Sequence, residues 1–220
     1  LEQIVEPTDE ELVEKFRVSA DMGIFKTLVR RYQSRVFAIA LRTLGNNEEA
    51  EEVVQETFVK VHQNLAKYRH NSLFSSWLFR IAHNQCMDTL RMKQRRFDSQ
   101  TVPFDPQSAG GSGDDISADG NRETVFQLAD KTPDPAQSLD IREQFEIVER
   151  SLGQLPETQK TVLILHDMQG LSYIEIAEIV GTSIGTVRSR LHYGRLKLRE
   201  LLLPYFSTDT LAINLPLTAR

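Results

Sequence analysis

The chain has 220 residues, 40% of them hydrophobic, a net charge of −5 and a single cysteine, Cys86. One cysteine excludes an intramolecular disulfide framework, and no run of about 18 apolar residues offers a membrane span, so a reducing cytoplasmic setting is expected. The acidic balance is uneven: residues 98–137 alone carry a net −6, and basic runs survive on either side of them, so the average does not exclude nucleic acid.

Thr8 and Glu11 stand at capping-box spacing, which predicts a short helix from Thr8 to Arg17. A longer helix is expected over about 21–44, with Phe25, Leu28, Val29, Tyr32, Val36 and Ala40 on its apolar face and Gly45-Asn46-Asn47 ending it. The next, about 47–64, places Ala50, Val53, Val54, Phe58 and Val61 on one stripe. Glu48, Glu49, Glu51, Glu52, Gln55 and Glu56 crowd its first half, where the helix dipole favours acids. Such a face is either simply solvated or a docking surface for a basic partner.

Residues 66–73 read as a loop, followed by a helix to about Arg96. Phe74, Leu78, Ala82 and Cys86 share one face of it, with Trp77 and Ile81 alongside; Arg80, His83, Asn84, Met87 and Arg91 share the other. The basic end at Arg91, Lys93, Arg95 and Arg96 suits phosphates. Tyr68, Arg69, His70 and Asn71 are residue types able to hold unstacked bases, though composition does not decide their role. Trp77 by itself reads as core packing. Cys86 on the apolar face also reads as packing, and His83 with Cys86 supplies too few ligands for a metal site. No cofactor or metal is expected.

From residue 98 to 137 the periodicity disappears. Four prolines, the run Gly110-Gly111-Ser112-Gly113 and scattered acids describe a flexible acidic linker, with room for a short helix near 121–129. The fold class expected is all-α: two small helical domains, 1–97 and 138–203, joined by this linker and followed by an apolar, proline-broken tail, 204–220. The second domain opens with a helix at 138–152, with Ile141, Phe145, Val148 and Leu152 in register. Pro156 suits the first turn of the next, 156–168, which Val162, Leu163 and Leu165 help to bury.

Residues 171–199 then predict two helices joined by a tight turn. Ser172 and Glu175 form a second capping-box pair, Ile174, Ile176, Ala177, Ile179 and Val180 are the apolar residues of the first helix, and Gly181 stops it. Thr182 or Ser183 caps the second helix. There Val187, Leu191, Gly194 and Leu198 fall on one buried stripe, while Gly185, Arg188, Ser189, His192 and Tyr193 point away from it. Arg188, Arg190, Arg195, Lys197 and Arg199 lie between 182 and 199 with no acid among them. The geometry fits a helix-turn-helix whose second helix enters the major groove, its first half at base edges and its last turn at phosphates. Pattern alone also allows a plain helical hairpin with a solvated basic face.

Taken in order, EEAEEVVQETFVKVH, FSSWLFRIAHNQCMDTLR and LSYIEIAEIVGTSIGTVRSRLHYGRLKLR resemble the extracytoplasmic-function (ECF) sigma factors of bacterial RNA polymerase, group 4 of the sigma-70 family. The resemblance covers about 9–97 and 138–203. It implies that the acidic helix, through Glu49, Glu52, Gln55, Glu56 and Phe58, docks on the polymerase clamp helices. It implies that Tyr68, Arg69, His70, Asn71, Trp77, Arg80, Asn84, Arg91 and Arg95 open the promoter −10 element and capture a flipped base as single-stranded DNA. It implies that Thr182, Ser183, Gly185, Thr186, Arg188, Ser189, Arg190, His192, Tyr193 and Arg195 read the −35 element as duplex, while the linker threads toward the RNA exit path. An anti-sigma factor is a further partner implied by the family. His83 and Tyr193 stand where the family commonly has arginine, and the linker is long for it.

An enzyme is not expected: the chain has no phosphate-binding glycine loop, no H-E-x-x-H and no plausible catalytic triad. A small-molecule substrate is not expected either. The rival reading is a stand-alone helix-turn-helix regulator that never joins polymerase, which leaves the first domain without a task.

Overall fold

The computed structural model describes residues 7–68, 72–100 and 135–206; the expected helix near 121–129 and most of the tail lie outside them. The described residues form helices α1 (Asp9–Ser19), α2 (Met22–Leu44), α3 (Asn47–Asn64), α4 (Phe74–Gln100), α5 (Pro135–Gly153), α6 (Glu157–Leu163), α7 (Tyr173–Val180) and α8 (Ile184–Leu202). No strand occurs among them.

The punctuation read from sequence is the punctuation found. Thr8 and Ser172 each form a complete capping box, with Glu11 and Glu175 reaching back to the cap backbone. Gly45 and Gly181 close α2 and α7 in the left-handed region, at φ 71° and 66°. Only glycine takes that conformation without a steric penalty from Cβ. Of the two candidate caps for α8, Ser183 is the one used: its Oγ accepts the Thr186 N–H at 3.1 Å.

Two boundaries differ. α4 continues to Gln100 and α5 begins at Pro135, each extending a few residues into the expected linker. Nothing opposes the extension at α5, because proline tolerates a first helical turn. The helix expected over 156–168 changes character after Leu163. Over Ile164–Met168 it widens to π geometry, and the Gln169 N–H donates to the Ile164 carbonyl at 3.2 Å. The widening is defined by backbone i→i+5 hydrogen bonds over a single turn, which side-chain periodicity does not report.

α1–α4 enclose a core that includes Leu12, Val13, Leu28, Val36, Val61, Phe74, Leu78 and Phe79, all at most 5% exposed. Tyr32 meets Phe74 and Phe79 edge-on at 5.6 and 6.0 Å, the arrangement ring quadrupoles favour. Arg31 and the Tyr32 hydroxyl both bond the Asp9 carboxylate, which ties α1 to α2. In the second domain Leu152, Val162, Leu163, Ile176, Val187 and Leu191 are buried between α5, α6, α7 and α8. Phe145, expected in register with the buried stripe, is 44% exposed, and the apolar Ile174 of α7 is 60% exposed. Phe145 lies at the edge of its stripe, whereas Ile174 lies well round α7 from the buried Ile176 and Ile179.

The domains also touch. α4 packs along α7, and α2 packs against α5 and α6. The Lys160 ammonium, on a residue only 7% exposed, crosses from α6 to donate to the Thr43 carbonyl of α2 at 3.0 Å and pairs with Glu157 at 2.9 Å. Arg35 donates to both the side chain and the backbone carbonyl of Gln169 at 2.9 Å. Arg42 pairs with Glu149 at 3.0 Å, and the Ser76 hydroxyl donates to Glu175 at 2.6 Å.

Candidate nucleic-acid interface

Three surfaces carry the residues singled out from sequence. The first is the outer face of α3. Asn46 caps this helix by accepting the Glu49 N–H at 3.0 Å, and Ala50, Val53, Thr57, Phe58 and Val61 turn inward. The 3.6-residue repeat then leaves Glu51, Glu52, Gln55 and Glu56 exposed. Glu49 is partly covered and pairs with Lys93 of α4 at 2.6 Å. Phe58 corrects the expectation of a docking contact: at 8% exposure it belongs to the core beneath the helix and supports the face without presenting itself. The apolar residue that is presented is Val59, 50% exposed beside Gln55 and Glu56. Its position outside the buried stripe is the sequence signal that marks it.

The second surface is a groove of about 430 Å³ between α3 and α4, lined by Lys60, Asn64, Lys67, Trp77, Ile81, Asn84, Gln85 and Asp88. Trp77 is partly buried, its ring 5.2 Å from that of Tyr68. Lys60 donates to Gln85 across the groove. Arg80, Asn84, Arg91 and Arg95 are exposed on α4, with Arg91 held to Asp88 at 2.9 Å. Lys60, Asn64, Lys67, Gln85 and Asp88 were not marked by the sequence reading. They come from α3, the single 3-10 turn Leu65–Lys67 after it and α4, and only the packing of α3 on α4 brings them together.

Tyr68 corrects a further expectation. Its ring is 3% exposed and its hydroxyl donates to the Ser72 carbonyl, while burial pushes the phenol up to about 12. It packs the base of the loop and offers no free face to a nucleobase. Arg69, His70 and Asn71 lie outside the described residues. His83 departs as well: burial, helped by the charge of Arg91, lowers it to about 4, so it is neutral and largely covered.

That shift has a direction that can be checked. The unfolded chain binds a proton at His83 near pH 6.5, and the folded chain resists it until about 4. The associated stability is therefore complete above pH 6.5 and is lost as pH falls toward 4. Thermal unfolding at pH 7.5 and pH 5 is expected to show about 2 kcal/mol more acid loss in the native chain than in His83→Gln. Equal losses in the two proteins would show that His83 titrates normally.

The third surface is the helix-turn-helix. The buried stripe of α8 is the expected one, Val187, Leu191, Gly194 and Leu198, and Gly185, Arg188, Ser189, His192 and Tyr193 are exposed. Thr182, Thr186 and Arg190 are partly covered at its edge. The Ser189 hydroxyl donates back to the Thr186 carbonyl at 3.0 Å and keeps its lone pairs outward. The Arg188 guanidinium lies 5.9 Å above the Tyr173 ring of α7, a cation–π distance.

Arg195 differs from its neighbours. It makes a two-pronged pair with Asp167 in the π turn, and its side chain is only 14% exposed. It clamps α8 to the turn after α6, so its charge is already engaged. Arg195→Ala is expected to lower the stability of the second domain by about 1–2 kcal/mol and to leave the salt dependence of DNA binding nearly unchanged. A fall of about one in the salt slope, with stability intact, would return it to the phosphate contacts.

Chemically, the arrangement offers an acidic helical face, a polar groove with an aromatic wall and lysines at its rim, and a helix whose exposed half carries arginine, serine and histidine. Among the described residues no group of three or more His, Cys, Asp or Glu is placed to hold a metal ion, and no helix is long and apolar enough to cross a membrane.

Residues 28–96 match the Sigma-70 region 2 family and residues 145–198 match Sigma-70, region 4. The chain is 32% identical over 186 residues to the ECF RNA polymerase sigma factor SigW of Bacillus subtilis, covering 83% of this chain and 90% of that protein. It is 31% identical over 202 residues to the RNA polymerase sigma-H factor of Pseudomonas aeruginosa, covering 91% and 97%. Among solved structures, the sigma factor RpoE in complex with the anti-sigma factor NepR from Bartonella quintana superposes with a TM-score of 0.60 at 23% identity, covering 83% of this chain and 98% of that one. CnrH in complex with the cytosolic domain of CnrY gives 0.59 at 24% identity, covering 90% and 99%. At those identities the structural likeness concerns the fold.

Proposed function

The chain belongs to the ECF sigma factors of the sigma-70 family, and from that premise we propose how its three surfaces divide the work of promoter-specific transcription initiation. A sigma factor joins core RNA polymerase and directs it to promoters. Here the exposed acids of α3, with Val59 among them, meet the basic clamp helices of polymerase. The α3–α4 groove receives an unstacked −10 base, with Trp77 as its wall, Asn84 and Gln85 as edge contacts and Lys60 and Lys67 near the backbone. The first half of α8 lies in the major groove at −35, where Arg188 reads a base and Ser189 and His192 add polar contacts.

Physical reasons support each assignment. Capture of single strands needs aromatic surface and a positive track, both present at the groove. Duplex readout needs a helix of groove width with a polar face and a rigid back, which α8 has. Two weak DNA contacts gain effective concentration when one enzyme holds both. The observation that carries the reading is that one chain holds both modules, each with its polar face turned outward. An anti-sigma protein is a proposed partner, the proposed setting is the cytoplasm, and no catalysis by the chain itself enters the reading.

The deciding experiment is promoter-specific run-off transcription with purified core polymerase and this chain as the sole initiation factor. Product that requires the chain is expected. A chain that binds −35 duplex but yields no product, and never associates with core, would be a stand-alone regulator. Within the same assay Arg188→Ala is expected to cost about 1–3 kcal/mol and to relax preference at one −35 base pair. Uniform loss on all sequences would make Arg188 a phosphate contact.

A further inference from the structure

We propose that Tyr173, backed by His166, is a positioning residue for base readout: its ring holds the Arg188 guanidinium in place before DNA arrives and so sharpens discrimination at the base pair that Arg188 reads. The inference rests on the assignment of Arg188 to a −35 base pair.

The second domain holds two arginines of α8 in different ways. Arg195 is gripped by a carboxylate: Asp167 accepts from two of its N–H groups and offsets its charge. Arg188 has no such partner. It is exposed, and among the described residues it makes no ion pair and no hydrogen bond. What holds it is the Tyr173 ring, whose centre lies 5.9 Å from the guanidinium carbon. A ring face attracts the cation through its quadrupole and consumes no N–H. The donors of Arg188 therefore all stay free, and so does its charge. Bidentate readout of a guanine edge needs both. It also needs the side chain in one place, and an unsupported arginine on a helix surface samples many rotamers that binding must then freeze out.

The ring is itself fixed from behind. Tyr173 is the first residue of α7, directly after the Ser172 cap, and packs partly buried against the core. The His166 ring lies 4.9 Å from it, tilted by 46°. His166 Nδ1 is 2.7 Å from the Leu171 carbonyl, and because a carbonyl only accepts, Nδ1 carries the proton and the ring is pinned. Two backbone bonds close the segment between them. The Gly170 N–H donates to the His166 carbonyl at 2.9 Å, and the Leu171 N–H donates to the Leu165 carbonyl at 3.1 Å. Gly170 makes this turn in the left-handed region, at φ 71°. His166 belongs to the π turn, the same turn that supplies Asp167 to Arg195. Single π turns recur at functional sites. Here one widened turn acts on two arginines: it takes Arg195 out of use and, through two packed rings, aims Arg188. Tyr173 needs no contact with DNA to act in this way.

The test uses the full chain in holoenzyme with core polymerase, on promoters that differ at single −35 base pairs. Arg188→Ala first identifies the pair at which preference is lost. At that pair Tyr173→Leu, which keeps an apolar side chain but no ring, is expected to lower discrimination about two- to fivefold, the range of a part-exposed cation–π contact. Affinity for the promoter already substituted at that pair should stay the same. Tyr173→Phe keeps the ring and is expected to discriminate as the native chain does. His166→Gln keeps a donor for the Leu171 carbonyl but loses the ring, and a smaller loss at the same pair is expected. Tyr173→Leu combined with Arg188→Ala should lose no more than Arg188→Ala alone. Circular dichroism identifies a Tyr173→Leu chain that has unfolded, in which case Tyr173→Met replaces it. Native discrimination in the chain without the ring would overturn the proposal. So would an equal loss in Tyr173→Phe, which would make the hydroxyl a DNA contact, or additive losses in the double variant, which would make Tyr173 act apart from Arg188. An Arg188→Ala protein that keeps native preference at every −35 pair would sink the −35 reading instead.

Discussion

Replacing Glu52 and Glu56 together by lysine is expected to reduce affinity for core polymerase by about 3–4 kcal/mol, several hundredfold, because two attractions become two repulsions against a basic partner. Both carboxylates are exposed on α3, and neither makes an ion pair or hydrogen bond among the described residues. The substitutions therefore remove nothing from the fold, and the melting temperature should move by a degree or two at most. Equilibrium binding of labelled chain to core enzyme measures the loss, and binding of the second domain's site by band shift serves as the control, which should not change. The effect should shrink as salt rises, since exposed charges are screened over about 10 Å at 0.1 M. An unchanged affinity would mean that the acids of α3 are a solvated face with favourable dipole placement and that docking lies elsewhere. A Val59→Ser variant separates charge from apolar contact, because it leaves the charge pattern intact.

The second large effect is one of packing. Gly194 lies on the buried stripe of α8, and a Cβ built there meets Leu163 of α6 at 3.0 Å and Gln159 at 3.4 Å. The two helices approach as closely as they do because no side chain separates them. Gly194→Leu is expected to destabilise the second domain by about 3 kcal/mol, since its branched side chain has no space to enter and must push α6 away. The same displacement tilts α8, so −35 binding should fall even though Gly194 touches no DNA. Gly194→Ala is the milder probe: a helical alanine gains about 1 kcal/mol in propensity, set against a shift of a few tenths of an ångström in Leu163. Chemical denaturation of the full chain reads both. A Gly194→Leu protein as stable as the native one would show that α6 and α8 are not held at this distance.

Much of the molecule was legible from residue order alone, and the reasons are local. Capping boxes at Thr8 and Ser172, the left-handed glycines at 45 and 181 and the stripe of α8 are determined within a few residues by hydrogen-bond spacing and steric limits. The exposed quintet of α8 follows from the same helical repeat. The family could be named because three such stretches occur in one order. Side chains at the boundary between face and core were less legible. Phe58 and Tyr68 look like candidates for a surface, but neighbouring helices close over them. Arg195 reads as one more basic residue until Asp167 is seen opposite, 28 positions earlier in the chain.

Residue order by itself determined the caps of α1, α7 and α8, the stops of α2 and α7, and which face of most helices is apolar and which carries charge, because those outcomes depend on atoms within one or two turns of each other. Tertiary structure alone decided which polar residues of different helices share a groove, which arginines are already paired and that the two domains meet through Lys160, Arg35 and Arg42. Those depend on contacts between residues far apart in sequence, and their free energy exists only once the intervening chain has been folded to bring them together.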